Sequence, residues 1–425
     1  MSFERFELDA KIFSGVQALG YKVPTPIQLQ SIPPIMEGRD VMGLAQTGTG
    51  KTAAFVLPIL QRLMQGSRGY IRALIIAPTR ELSEQTHKAI VQLGRRTNLR
   101  SASIYGGVNI NGQINRLQDN VEIISACPGR LLDHINRGTV DLSRIEVLVI
   151  DEADHMFDMG FLPDIRKIVK HLPATRQTLL FSATMPQDIR SLANDLLRNP
   201  VNIQISHTAP IETVAHHFYP VQIATKTALL KDILDKTEME SVLVFTRTKS
   251  RAKSVALQLD KSGYKVTSLH GNLTQQKRQH ALEGFRDGRY EIMVATDIAA
   301  RGIDVTRISH VINYDMPSTI DAYTHRIGRT GRATKTGDAF TFVTGEDAGL
   351  AHSLNRVLGE KLEYHSVAGL TTSMPIDDGA PARRNNSGRG IKPNNGRKIF
   401  SPKARPSSRP KQRSFDSSNR SQWAH

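Results

Sequence analysis

The chain has one cysteine in 425 residues, Cys127, so no intramolecular disulfide and no cysteine-based zinc cluster can form. Any metal it binds must take oxygen or histidine ligands. Long apolar runs are missing as well. None approaches the ~20 consecutive residues that a bilayer crossing needs, which argues against a membrane span. The opening stretch MSFERFELDA carries acidic residues and no apolar core, unlike a secretory signal or an Arg-rich transit peptide, and predicts a cytoplasmic protein. Acids are also scarce: 40 Asp and Glu against 56 Lys and Arg leave a net charge of +16, which points to a polyanionic partner. That excess is concentrated at one end. From Gly379 to His425 there are twelve Lys and Arg and a single acid, Asp416, so the body of the chain is only mildly basic.

What is present is ordinary globular material, 39% hydrophobic and 23% charged, long enough for two domains. Short apolar runs leading into amphipathic stretches predict buried parallel strands at Ala73 to Ala77, Val121 to Ser125, Glu146 to Ile150 and Thr178 to Phe181. The pattern lapses around Ile205 to His217. It resumes at Val242 to Phe245, Lys265 to Leu269, Glu291 to Ala295, His310 to Asn313 and Ala339 to Val343, with helices over Arg251 to Lys261 and Gln275 to Phe285. The expected architecture is α/β, with domains at 1–205 and 218–370, a linker at 206–217 and a tail at 371–425. The tail is rich in Ser, Asn, Gly, Pro and Arg and too poor in aliphatic residues to bury a core, which predicts disorder.

Two local patterns carry chemistry. Ala45-Gln46-Thr47-Gly48-Thr49-Gly50-Lys51-Thr52 follows the apolar VMGL and precedes a helical stretch, the setting a phosphate-binding loop requires. Backbone N–H groups freed by the glycines can ring phosphates at a helix N-terminus, Lys51 can reach the β and γ phosphates, and Thr52 can ligate Mg²⁺. Ala45 departs from the general pattern, which has glycine there. Asp151-Glu152-Ala153-Asp154 ends a predicted parallel strand, at the edge where such sheets bind ligands. Asp151 suits a metal, directly or through water, and Glu152 suits orienting and deprotonating an attacking water. On their own these residues would read as a solvated acidic turn; the upstream loop makes them a site.

These segments, taken with others in order, resemble the DEAD-box RNA helicases, and among them the bacterial RhlE group. The resemblance runs from Phe3 to about Val343. It includes Gly20 to Gln28 with Tyr21 and Thr25, PTREL at Pro78 to Leu82, Gly106-Gly107, SAT at Ser182 to Thr184, VFTRT at Val244 to Thr248, ATDIAARGID at Ala295 to Asp304, and HRIGRTGR at His325 to Arg332. The resemblance implies two tandem RecA-like domains with parallel sheets that use ATP and Mg²⁺. It places Gln28 at the adenine edge with Tyr21 packed on the base, Phe3, Thr25 and Gly302 in the ATP-binding set, Asp304 at the ribose, and Ser182, Thr184 and His325 between phosphate and domain closure. Arg329 and Arg332 are implied as arginine fingers. RNA contacts fall on Pro78, Thr79, Arg80, Gly106, Gly107, Pro128, Gly129 and Arg130, and on Arg247, His270, Gly271, Gln275, Arg278, Thr296 and Asp297. Most are loop residues suited to phosphates and 2′-hydroxyls, so RNA binding is expected to be sequence-independent.

The resemblance further implies local strand separation driven by closure and reset by hydrolysis, with one chain sufficient for catalysis. Ribosome assembly, RNA decay and cold adaptation all fit the bacterial relatives. The basic tail could capture RNA or dock a protein or ribosomal partner. An ATP-gated clamp that never unwinds stays open as an alternative, as does an annealing chaperone acting through the tail. Two positions depart from the family: Ser83 where PTRELA has alanine, and Cys127 where TPGR has threonine. A thiol is the weaker hydrogen-bond donor, which puts the phosphate contact at 127 in doubt and raises the expectation that alkylation there weakens RNA binding, against a reading of a tolerated small residue.

Overall fold

The computed structural model describes residues 2–46, 48–205, 214–300, 308–331, 337–359 and 362–372. Seven strands build the first lobe: β1 Val41–Leu44, β2 Ala73–Ile76, β3 Ser101–Ile104, β4 Ile123–Ala126, β5 Val147–Ile150, β6 Gln177–Ser182 and β7 Val201–Gln204. Seven more build the second: β8 Val214–Pro220, β9 Val242–Thr246, β10 Val266–Leu269, β11 Ile292–Thr296, β12 His310–Asn313, β13 Gly337–Val343 and β14 Leu362–Tyr364. The sheets run β3-β4-β2-β5-β6-β1-β7 and β10-β11-β9-β12-β13-β8-β14. All their strand pairs are parallel. Helices connect successive strands, as parallel pairing requires, and so cover both faces.

Alternation along the strands feeds two cores per sheet. Ile75, Val149 and Phe181 pack on one face with Phe55 of helix Lys51–Leu63, while Leu74, Ile76, Leu148, Ile150 and Leu180 pack on the other with Ile165 of helix Leu162–Val169. The sheet order has a direct consequence for chemistry. Strands β5, β6 and β1 are neighbours, so the loops leaving their C-terminal ends, at Asp151, Ala183 and Ala45, open side by side.

One boundary differs from the sequence reading. The linker expected over 206–217 overlaps β8, because Val214 to His217 pair in register with Gly337 to Phe340. The run V-A-H-H-F-Y-P hides its inward face behind a histidine: His216 is buried, its Nδ1 lying 2.8 Å from the Tyr323 hydroxyl. At the far end, Thr372 N donates to Pro220 O, so 371 and 372, assigned to the tail, still touch the second sheet. Residues 206–213 and 373–425 lie outside the described part of the chain. Among the described residues no helix is long and apolar enough to cross a membrane.

Candidate functional site

Gly48 and Gly50 take φ of 88° and 94°, a left-handed backbone that only glycine adopts without strain, and Gly50 caps helix Lys51–Leu63. A side chain at Gly50 would also strike the Gln28 amide, 2.5 Å away. Gln28 is buried and braces the loop: its Nε2 donates to Gly50 O (3.0 Å) and its Oε1 accepts from Thr25 N (2.9 Å). One N–H and one lone pair of the amide remain for a ligand. Tyr21 is 42% exposed and stacks at 6.1 Å on Phe3, which is buried with Phe6. Tyr21 therefore offers a ring face, and Phe3 supports it from below. Ala45, at the position where a glycine is usual, is buried and its N–H donates to Ser182 O (3.0 Å), continuing the β1–β6 ladder. Thr49 Oγ1 donates to Gln46 O (2.8 Å) and shapes the turn. Thr47 lies outside the described residues.

Lys51 is 5% exposed and its ammonium has no hydrogen-bond partner among the described residues. Across the β1–β5 gap, Asp151 Oδ1 is likewise buried and without a partner among the described residues. A buried cation and carboxylate oxygen left without bonds are costly unless a ligand completes them. A phosphate suits Lys51, and a hard cation held with Thr52, in the first helical turn, suits Asp151. Burial pushes the Asp151 carboxyl up to about 6, with Lys51 pulling down and Glu152 pushing up. Glu152 is driven the other way: burial would raise it, but the His155 ring, Lys51 and Arg329 together hold it well below the usual carboxylate range. Its Oε2 lies 2.7 Å from His155 Nδ1.

Asp154 knits this loop to the next. Its Oδ2 accepts from Ala183 N (3.1 Å), Thr184 N (3.0 Å) and Thr184 Oγ1 (3.3 Å), and its own N–H donates to Ser182 Oγ (3.2 Å). Ser182 Oγ donates in turn to Thr184 O (2.7 Å). Ser182 and Thr184 are thus tied to the DEAD segment by hydrogen bonds.

The second lobe supplies helix Ile320–Ile327 and the turn after it. The His325 and His155 rings meet edge to face at 5.3 Å, and Arg329, 5% exposed, adds its charge to the Glu152 environment. Gln46, Lys51, Glu152, Asp154, His155 and Ala183 of one lobe, with Thr324, His325, Gly328 and Arg329 of the other, line a cavity of about 30 Å³. Arg332, Gly302 and Asp304 fall outside the described residues.

A second groove crosses both lobes. Pro78, Thr79, Arg80, Gly106, Gly129 and Arg130 line it from the first lobe, and Gly271 and Arg278 from the second. Gly107, with φ of 80°, lies against the Arg80 guanidinium, and Arg80 Nη1 reaches Gln275 Oε1 (3.4 Å). Pro128 is buried as the first residue of helix Pro128–Asn136. The remaining residues assigned to RNA do not line the groove, and most bond within the protein. His270 is buried with Nδ1 unpartnered among the described residues and its pKa lowered by burial and by Arg278, Lys253 and Lys249. Arg247 reaches Asp347 Oδ1 (3.3 Å). Asp297 is gripped by Arg326 through Nε (2.5 Å) and Nη2 (2.7 Å), with Thr296 just before it at the end of β11.

Arg278 itself does not face the groove freely. Its Nε and Nη2 each lie 2.7 Å from Glu81 Oε1 of the other lobe. Glu81, His155, Asp154 and Arg326 carry site geometry for which the sequence reading gave no role. The only signal for His155 was its place three residues after Glu152 on a helix. Ser83 is explained by its hydroxyl, which donates to Ser125 O (2.9 Å) at full burial. Cys127 borders the groove but is buried, and burial pushes its thiol up to about 12.

Residues 25–192 match the DEAD/DEAH box helicase family, and residues 225–334 match the helicase conserved C-terminal domain. Over 362 residues the chain is 44% identical to the ATP-dependent RNA helicase CshA of Listeria monocytogenes, spanning 85% of this chain and 69% of that one. Identity to the DEAD-box ATP-dependent RNA helicase CshA of Geobacillus kaustophilus is 41% over 363 residues, 85% and 78% of the two chains. Both relatives carry the CshA name, so the narrower grouping with RhlE finds no support here. Among solved structures, S. cerevisiae Dbp5 bound to RNA and ADP BeF3 is similar with a TM-score of 0.76 at 30% identity, covering 86% of this chain and 95% of that one.

Proposed function

The chain belongs to the DEAD-box ATP-dependent RNA helicases, and from that premise we propose how its own residues divide the work. Gln28 and Thr25 would meet the adenine edge while Tyr21, resting on Phe3, covers the base. Because Gln28 also bonds Gly50, base recognition is mechanically joined to the phosphate loop. Lys51 and the N–H groups of Gly48, Thr49 and Gly50 would hold the β and γ phosphates. Thr52 and Asp151 would hold Mg²⁺, which neutralises phosphate charge when bound. Glu152, held well below the usual carboxylate range, would accept a hydrogen bond from the attacking water and so aim it. Arg329 supplies guanidinium charge from the second lobe, with Arg332 as the expected second finger, and the transferring phosphoryl is stabilised only where the lobes meet.

RNA is the partner, as in the Dbp5 complex, and the groove that bridges the lobes is where its backbone would lie. Arg80, Arg130 and the glycine N–H groups at 106, 107, 129 and 271 suit phosphates and sugar hydroxyls. Groove and closure share residues: Arg80 touches Gln275, and Arg278 touches Glu81. A strand in this groove would therefore bias the same contacts that bring Arg329 to Glu152, which is the coupling that an RNA-stimulated ATPase needs. One chain holds all of these groups, so a monomer suffices for catalysis. The basic segment from Gly379 to His425 would add sequence-independent capture of RNA or dock a protein partner.

The observation that carries this reading is the single cavity on which Lys51, Glu152, His325 and Arg329 converge from both lobes. Steady-state ATP hydrolysis with Mg²⁺ at low salt, with and without single-stranded RNA, tests it alongside release of a short duplex. RNA is expected to accelerate hydrolysis, and Glu152→Gln is expected to abolish turnover while retaining nucleotide binding. Hydrolysis indifferent to RNA would overturn the division of labour.

A further inference from the structure

On the far edge of the second sheet, parallel pairing of β14 with β8 sets Glu363 opposite His217, and His365, two residues on, falls on the same face. The rings are held by stacking: His217 on Phe340 at 4.9 Å, and His365 on Tyr219 at 5.2 Å with planes 19° apart. Three ligand atoms converge. His217 Nδ1 is 2.9 Å from His365 Nε2 and 3.5 Å from Glu363 Oε2, and the latter two are 3.3 Å apart. Metal–ligand bonds of ~2.0–2.2 Å in tetrahedral geometry place ligand atoms roughly 3.3–3.5 Å from each other, so the triangle needs only small adjustments.

The ring behind it is also prepared. His217 Nε2 lies 3.2 Å from Asp338 Oδ1, and that carboxylate, accepting the Nε2 proton, fixes the tautomer whose Nδ1 lone pair faces the triangle. The other Asp338 oxygen is held 3.6 Å from His310 Nε2. We propose that His217, Glu363 and His365 form a three-ligand site for a divalent transition metal of the zinc class, with the fourth position open to solvent and Asp338 as a positioning residue. Mixed imidazole and carboxylate donors select this class over Mg²⁺, which takes oxygen ligands and keeps its water. None of these side chains belongs to the nucleotide site. The ion would fasten β14, only three residues long, to β8, just before the chain runs through Thr371 and Thr372 into its basic segment.

The test uses the full chain, stripped with a chelator and kept in excess Mg²⁺, titrated with Co²⁺ and then Zn²⁺. The proposal expects one equivalent of Co²⁺ with the visible absorption of a tetrahedral centre, displaced by Zn²⁺. His365→Asn should weaken uptake by about 100-fold or more, and Asp338→Asn by about 10- to 100-fold. Zn²⁺ should raise the unfolding temperature of the natural chain and not of His365→Asn, while metal-free unfolding temperature and RNA-stimulated ATPase stay unchanged in that variant. Equal Co²⁺ uptake by the natural chain and His365→Asn, or uptake without a tetrahedral spectrum, overturns the site. Uptake lost in His365→Asn but untouched in Asp338→Asn removes the positioning role assigned to Asp338.

Discussion

Replacing Glu81 with Gln should damage closure and leave the fold intact. Glu81 lies in the first turn of helix Arg80–Leu93 of the first lobe, and Arg278 sits on helix Gln275–Arg286 of the second. The two side chains are 8% and 10% exposed where they meet. Glutamine keeps the shape and one neutral acceptor but removes the charge, and net values for charge-assisted bonds of this kind are ~1.5–3 kcal/mol. Taking ~2 kcal/mol, the lobe-to-lobe equilibrium shifts about 30-fold toward separation, since 1.4 kcal/mol is a factor of ten. When the lobes part, both side chains regain water, so the loss falls on closure and not on either sheet. RNA-stimulated kcat/KM should drop roughly 30-fold, with the unfolding temperature unchanged. The double variant Glu81→Gln with Arg278→Gln should recover part of the loss, because much of the cost is an orphaned guanidinium. An unchanged RNA-stimulated rate, or a lowered unfolding temperature in the single variant, would refute the reasoning.

Arg329→Lys keeps a cation but loses the planar fork; steady-state hydrolysis should fall by on the order of 10³-fold or more with nucleotide affinity, read by a fluorescent analogue, little altered. Asp151, pushed up to about 6 by burial, is protonated below that pH in the metal-free lobe and ionised above it. Metal needs the anion, so Mg²⁺–nucleotide affinity should be flat above pH 6 and fall by about tenfold per unit below it, a slope that Asp151→Asn removes from this site. Cys127, with its buried thiol pushed up to about 12, should resist iodoacetamide at pH 8 on the native chain and react promptly once unfolded, as mass spectrometry would read. That outcome favours a tolerated small residue at 127 over a contact sensitive to alkylation.

Most strands that sequence revealed are buried on both faces; the edge strand β10 is an exception. ALII of β2 and VLVI of β5 have no polar position to obscure them, and IMVAT of β11 has only its terminal Thr296. SASI of β3 and VNIQ of β7 were not legible, because half of each short strand is polar in sequence; in VNIQ those side chains face solvent, whereas Ser103 of SASI is buried. β8 was hidden by His216, which reads as polar yet is buried against Tyr323. The site divides in the same way. A phosphate loop is local, eight residues whose spacing alone fixes their geometry. Glu81 with Arg278, His155 with His325, and Asp297 with Arg326 are pairs made by folding, and nothing in the spacing of either partner announces the other.

Glu152 shows why the DEAD segment acts as one unit. Its φ of 55° and ψ of 54° lie in the left-handed region, which costs a non-glycine residue on the order of 1–3 kcal/mol. The strain persists because both sides of the residue are pinned. Before it, Asp151 N donates to Ile76 O, fixing the end of β5; after it, Asp154 accepts from the backbone of residues 183 and 184 and donates to Ser182. Between those anchors the turn carries the Glu152 carboxylate to the face where Lys51 and Arg329 act on it. Asp154 therefore contributes by holding the backbone that aims its neighbour. Its carboxylate and its N–H, through Ser182, both tie the loop after β6 to the backbone beside Glu152.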